Sequence, residues 1–409
     1  MKITSLILLI PFLSIYVNTA FSQTLDVNML EIYPFEVSEV TPNVHVGALE
    51  VHPFVNIKQT YDTNIYLEPE GRENDDYITD VAAGIEIEMP LVPERDKDFL
   101  VKAAYKADML IYYDQTRLNR VDHDMYGLVN FNFANGIGFY AKEQFILTQD
   151  PPNNERTSLD KRFRNIIDTS LSFMRENLKF QGGYSMIRDG YDDVTNLNKF
   201  DNRLTGLCFY QLFPKVSILG EYNLGLITYD SSTTNSDSTY NQARAGITGA
   251  ILPKVTGTLK GGYRNVSYEQ GEKDDYSGFT AFANVKYDVT ERTVLNLYGE
   301  RTTDESSYSD NSYYEINQCG LELQHQLLEH LWITGEEFLS YNRYPHETTD
   351  SGIVEKRRDT IWGSKLELKY QLTEWLYVFS GYEFKRRNSQ FDRFDYDDHR
   401  VSIWISTRF

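Results

Sequence analysis

The connections between apolar segments, more than the segments themselves, limit what this chain can fold into. Compact turns occur at Ala134-Asn135-Gly136, Arg175-Glu176-Asn177, Phe213-Pro214-Lys215, Leu252-Pro253-Lys254, Val289 to Arg292, Leu327 to His330 and Leu372 to Trp375. They alternate with long polar insertions such as "DTNIYLEPEGRENDD", "LTQDPPNNERTSLDK", "YPHETTDSGIVEKRRD" and "NSQFDRFDYDD". Between them run segments of period-two alternation, centred near Val55, Ile85, Tyr105, Val129, Ala141, Thr169, Gly182, Gly206, Gly220, Ile247, Gly261, Ala283, Leu297, Leu321, Gly335, Ser364, Ser380 and Ile403. A soluble sandwich has no reason to put every short turn at one end and every long loop at the other, but a barrel crossing a membrane does. The sequence therefore predicts an all-β fold, a transmembrane antiparallel up-and-down β-barrel of about 18 strands.

Lys2, the apolar run "ITSLILLIPFLSIYV" and Ala20-Phe21-Ser22 read as a signal peptide over residues 1–22 that is cleaved on export. Residues 23–44 then form a short periplasmic segment and residues 45–409 the barrel. No later run of about 18 apolar residues exists to form a spanning helix. A mean hydropathy of −0.47 is compatible with a membrane barrel, because a spanning strand shows lipid only every second residue. With 40 Lys+Arg against 60 Asp+Glu, nucleic acid is excluded as a partner. Cys208 and Cys319 each sit within an apolar alternation and read as small apolar-face residues, with a bridge as the alternative.

Strand parity assigns the two faces. On the apolar, outward parity, Phe133, Phe173, Tyr210, Tyr287 and Tyr370 fall at the short-turn ends of descending strands. Tyr113, Tyr222, Tyr263, Tyr341 and Tyr382 fall toward the long-loop ends of ascending ones, so the ten form a two-ring aromatic girdle. Val101 to Tyr113, at about 3.3 Å per residue and a tilt near 45°, spans roughly 28 Å, the thickness of a bilayer core. The last strand, "VSIWISTRF", ends on Phe409 at girdle level, where its backbone pairs with the first strand. The inward parity is polar and of both signs, and Lys102, Lys106, Glu143, Arg162, Arg164, Lys179, Arg203, Glu221, Lys286, Glu300 and Arg400 are expected to line a pore. A solvated wall of salt bridges is the blander alternative for each. Tyr112, Phe209, Phe338 and Trp404 are inward aromatics, able to stack on sugar rings or to fill space under a loop.

The stretch "PFVNIKQTYDTNIYL" at 53–67, with Tyr61-Asp62-Thr63-Asn64 at its centre, and the alternating end on Phe409 resemble the bacterial β-barrel porin type 2 family over nearly the whole mature chain. The resemblance implies an integral protein of the bacterial outer membrane in a Gram-negative cell, and for some members an association with exopolysaccharide secretion. The C-terminal Phe409 also resembles the assembly signal of outer-membrane proteins, which implies insertion by the barrel-assembly machinery.

The expected function is a porin-like channel for passive transport of polar solutes, saccharides among them. The alternatives are the exit barrel of an exopolysaccharide secretion system, or a structural or adhesive barrel. The expected partners are outer-membrane lipid and lipopolysaccharide, with polysaccharide and periplasmic export proteins under the secretion alternative. No catalytic set is expected: His123-Asp124 and Asp398-His399 come nearest, and both read as loop pairs. No cofactor is expected. The acidic "FDRFDYDD" lacks the spacing of a calcium loop, so no metal is expected either.

Overall fold

A computed structural model describes residues 44–91, 98–231, 235–269, 275–350 and 352–409, so the expected signal peptide and most of the short segment after it lie outside the described residues. A three-residue strand, β1 (Val44–Val46), precedes β2 (Leu49–Asp62), β3 (Asp76–Pro90), β4 (Phe99–Tyr112), β5 (Arg120–Asn132), β6 (Ile137–Thr148) and β7 (Arg162–Arg175). Then follow β8 (Leu178–Tyr191), β9 (Lys199–Phe213), β10 (Val216–Tyr229), β11 (Ser238–Leu252), β12 (Val255–Tyr268) and β13 (Tyr276–Thr290). The last six are β14 (Thr293–Glu305), β15 (Tyr313–Leu328), β16 (Leu331–Asp350), β17 (Ile353–Thr373), β18 (Leu376–Asn388) and β19 (Tyr396–Arg408). From β2 onward each strand pairs antiparallel with its neighbours in sequence, and β19 returns to pair with β2, closing an 18-stranded barrel. Each expected strand centre falls in its own strand of the ring. Among the described residues no helix is long and apolar enough to cross a membrane.

The short turns work by backbone conformation. Glu176 and Lys254 take positive φ, and so does Gly136 at +86°, where a Cβ would stand 2.1 Å from the carbonyl oxygen of Met174. One segment expected as a loop is not one. "YPHETTDSGIVEKRRD" continues β16 and β17 as a hairpin that turns at Gly352, after a register shift between Arg343 and Glu347. Its β-branched Thr348, Thr349, Ile353 and Val354 flanking a glycine are a hairpin signal that the density of charge obscures.

The long-loop end is ordered by a repeated device. Where an ascending strand ends on an inward tyrosine, its backbone N–H donates to an Asn or Asp just ahead of the next strand: Tyr112 to Asn119, Tyr191 to Asn198, Tyr229 to Asp237 and Tyr268 to Asp275, at 2.7 to 3.0 Å. Each side chain replaces the ladder partner that the departing strand has lost.

The seam between β2 and β19 is fastened at both ends. At the long-loop end, Asp62 accepts the backbone N–H of Asn64 and pairs with Arg400 at 2.9 Å. Thr63 exchanges hydrogen bonds with the backbone of His399, and buried Asn64 donates to the carbonyls of Glu68 and Asp397. Tyr61-Asp62-Thr63-Asn64 is thus a clasp on the last strand. At the other end the Phe409 N–H donates to the Pro53 carbonyl, and its ring stacks on Trp375 with centroids 5.2 Å apart. Arg408 reaches over β2 to Glu86 of β3 at 3.0 Å, and Tyr126 donates to the other oxygen of Glu86. The ends of a closing sheet would otherwise present bare edges, so these contacts protect the place where the ring is weakest.

Candidate functional site

The outer wall carries all ten expected girdle aromatics, Tyr113, Phe133, Phe173, Tyr210, Tyr222, Tyr263, Tyr287, Tyr341, Tyr370 and Tyr382, and Phe409 with them, each exposed. Cys208 and Cys319 lie on the same wall as free thiols. Glu143 is a correction: it lies outward, not in the lumen. It pairs in register with Gly127 and Ile167, on the parity of exposed Met125 and Leu171, and accepts a hydrogen bond from Asn165. Its neighbour Lys142 is the inward residue, donating to Gln144. A slip of one residue reverses every side chain of a strand, and "YAKEQF" places charges on both parities, so apolarity alone does not choose the face.

The two histidine pairs are also corrected, since both lie in strands. Alternation sends the members of each pair to opposite faces. His123 meets Tyr105 Oη at 2.8 Å outside while Asp124 accepts from Gln144 within. His399 meets Tyr382 Oη at 2.8 Å outside while Asp398 faces Arg400 within, so neither pair converges on a substrate.

The other expected lining residues sit on the inner wall, mostly paired with neighbours on the same or adjacent strands. Lys102 binds Glu88, Lys106 binds Asp108 at 2.7 Å, Arg164 binds Asp189 at 2.7 Å, and Lys286 faces Asp288 at 3.4 Å. Arg203 donates to Tyr240 Oη and approaches Asp201, and Glu221 lies between Arg244 and Lys260. Arg162 donates to the Asp150 carbonyl, Lys179 stands 6.0 Å from the Phe209 ring centre, Glu300 is buried, and Arg400 bridges Asp62 and Asp398. Ring faces are occupied too. Phe379 and Trp404 stack at 4.8 Å and 2°, and Lys58 stands 5.5 Å from Trp404.

The mouth at the long-loop end is a different kind of structure. The loop 149–161, between β6 and β7, turns into the lumen and docks on the connection after β14, eight strands further round the ring from β6, and on β18. At its tip, Glu155 accepts Ser306 Oγ and the Ser307 N–H, each at 2.6 Å. Arg387 of β18 donates to the carbonyls of Asn154 and Glu155 at 2.8 and 3.1 Å. Beside it Arg357 and Asp359 form an ion pair shut off from solvent. The Arg357 guanidinium stands 3.5 Å from the Phe394 ring centre and 4.5 Å from that of Tyr344. Burial pushes the Glu155 carboxyl up from its ordinary value, opposed by Arg357 and by the two serine donors. A chamber of about 130 Å³ remains inside the lumen, bordered by Asn154, Lys199, Tyr229, Asp304, Glu305 and Tyr314 among others.

The latch residues Glu155, Ser306, Arg357 and Arg387 were not visible as a set in the sequence. A glutamate in "PPNNER" looks like any solvated loop charge, and only Arg357-x-Asp359, on one strand parity, hints at an internal pair. Three of the four acids of "FDRFDYDD" are taken up structurally: Asp395 accepts the Ser389 N–H, Asp397 pairs with Arg386, and Asp398 with Arg400. Among the described residues no three His, Cys, Asp or Glu side chains are grouped to hold a metal ion.

A family model described as "Putative beta-barrel porin 2" matches residues 44–409. No curated protein matches the chain. Among solved structures, the siderophore receptor PirA from Pseudomonas aeruginosa aligns with a TM-score of 0.46 and 10% identity, over 88% of this chain and 80% of that one. The outer membrane protein opdK from Pseudomonas aeruginosa aligns at 0.44 and 10% identity, over 88% and 99%. OccAB3 from Acinetobacter baumannii aligns at 0.44 and 11%, over 88% and 99%.

Proposed function

This chain belongs to the beta-barrel porin 2 family and is a porin-type barrel of the outer membrane, and from that premise we propose that it is a passive channel for small polar solutes, narrowed at its mouth by the docked loop 149–161. The observation that carries this reading is the contrast inside the lumen. Eighteen strands enclose a ring of the size that leaves an aqueous passage, and its inner charges are neutralised along the wall instead of across it, so water has a route between them. The loop 149–161 reaches over that route, with its tip held on the far side.

The test is conductance of the refolded protein in planar bilayers, with liposome swelling alongside. A small, weakly selective conductance is expected, with monosaccharides passing and oligosaccharides excluded. Removing residues 152–158 should raise the conductance and admit the larger sugars. No conductance in either form would overturn the channel and leave the structural or adhesive role. Passage of long oligosaccharides through the intact barrel would favour the exopolysaccharide exit, because the loop would then have to leave the lumen unaided.

A further inference from the structure

The chamber beneath the loop 149–161 is bordered by charges that form no ion pair among the described residues. Lys199, at the start of β9, has no salt-bridge or hydrogen-bond partner among the described residues. Its ammonium stands 5.9 Å from the Tyr229 ring centre, and the carboxylates of Asp189, Asp304 and Glu305 act on it only from beyond ion-pair distance. At the end of β14, Asp304 takes the Glu305 N–H and a long 3.4 Å bond from Tyr314 Oη, and no cation among the described residues contacts it. Glu305 is buried and accepts Ser238 Oγ and Tyr268 Oη, both on Oε1, which leaves Oε2 without a donor among the described residues. In the chamber wall, Asn154 of the docked loop is 8% exposed, and its Oδ1 is buried with no partner. The other basic residues of the chamber are already engaged, Arg164 by Asp189 and Arg203 by Asp201 and Tyr240.

A charge held away from bulk water without a partner costs free energy, and the cost falls when a ligand of opposite sign takes the place of solvent. Here one cation and two carboxylates border one cavity without approaching within 4.0 Å of one another among the described residues, which is the arrangement that a molecule carrying both signs completes. A cavity of about 130 Å³ suits a solute of amino-acid size and not a polymer. We propose that this chamber is a binding site for a small zwitterion, whose anionic group is held by Lys199 and whose ammonium is held by Asp304 and Glu305, with the Asn154 amide oxygen as a further acceptor. The site rests on the channel reading, since the chamber lies on the passage beneath the mouth. A monoamine leaves Lys199 unmatched and a monocarboxylate meets two like charges, so both bind more weakly than the zwitterion. The docked loop supplies Asn154, so the site is complete only while the mouth is latched.

The test is calorimetric titration of the full mature chain, refolded in detergent, with β-alanine, 4-aminobutyrate and 6-aminohexanoate, and with butylamine and butyrate as single-charge probes. The expected result is saturable binding of one zwitterion at least tenfold tighter than either single-charge probe. Lys199→Met should weaken it about tenfold while leaving butylamine bound no more weakly than before. If that variant does not fold, as judged by loss of heat-modifiable migration, Asp304→Asn decides by weakening the zwitterion and leaving butyrate bound no more weakly than before. Equal affinity for the zwitterion and a single-charge probe, or no binding to the folded wild-type protein, overturns the site. Conductance is read separately: binding without conductance keeps the site and removes the channel, and conductance without binding does the reverse.

Discussion

The waist and the mouth of this barrel use the same residue types, arginine, carboxylate and aromatic ring, and put them to opposite ends. At the waist, Glu221 holds Arg244 and Lys260 from the two next strands, and Lys106 holds Asp108 two residues on. These pairs lie flat against the wall. At the mouth, Arg387 reaches Asn154 of the docked loop, 233 positions away in sequence, and Arg357, though also paired with a neighbour two residues on, Asp359, is capped by the rings of Phe394 and Tyr344. Neighbour pairing keeps a lumen open, whereas pairing across the ring closes it. The same residue types line the wall or hold a loop across it according to the separation of the segments they join.

The sharpest way to break this comparison is to remove one arginine from each region. Arg357→Met strands Asp359 in a site with no access to water, and a loss of roughly 3 to 5 kcal/mol in the packing of the mouth is expected. Trypsin added to intact barrels should then cut at Arg156 and Lys161 far faster than in wild type. Arg244→Met at the waist leaves Glu221 paired with Lys260, should cost about 1 kcal/mol, and should not alter that cleavage. Equal proteolysis of the two variants would mean that the mouth is no more cooperative than the wall.

A smaller effect is expected at the tip of the latch. Glu155→Ala removes the acceptor of Ser306 and Ser307 and should loosen the loop by about 1 to 3 kcal/mol, seen as a higher open-channel current. Glu155→Gln, which keeps an acceptor oxygen, should loosen it less.

The third prediction concerns pH. Glu155 faces Ser306 and Ser307, Asp304 of β14, Arg357 of β17 and Arg387 of β18. Burial raises its pKa in the docked loop, so the docked state binds the proton more tightly than the undocked state. Docking therefore strengthens as pH falls through the raised value toward the ordinary one, about 4.5, and weakens as pH rises through it. Acidification should slow trypsin cleavage of the loop, and Glu155→Gln should abolish the dependence. A current that grows on acidification would contradict the sign.

The mildest effect belongs to the waist. Replacing Lys102, Lys106, Arg162, Arg164 and Arg203 with Gln should shift the reversal potential in a salt gradient modestly toward cations, because their partner carboxylates remain on the wall. An unmoved potential with intact conductance would place the ion path away from these side chains.

The ring was legible in the sequence because barrel construction is local. Period-two alternation gives the strands, turn chemistry gives their order, and nearest neighbours pair, so the 18 centres and the closure at Phe409 follow without knowledge of any distant contact. Legibility ends where parity becomes ambiguous, as at Glu143, or where charge hides a hairpin, as in residues 344–359. The latch and the chamber were decided by tertiary structure alone. Whether Glu155 meets solvent or Ser306, and whether Lys199 finds a partner or a cavity, depends on where the loop 149–161 lands after the ring has closed. That contact joins segments with no pairing rule between them, and no period along the chain records it.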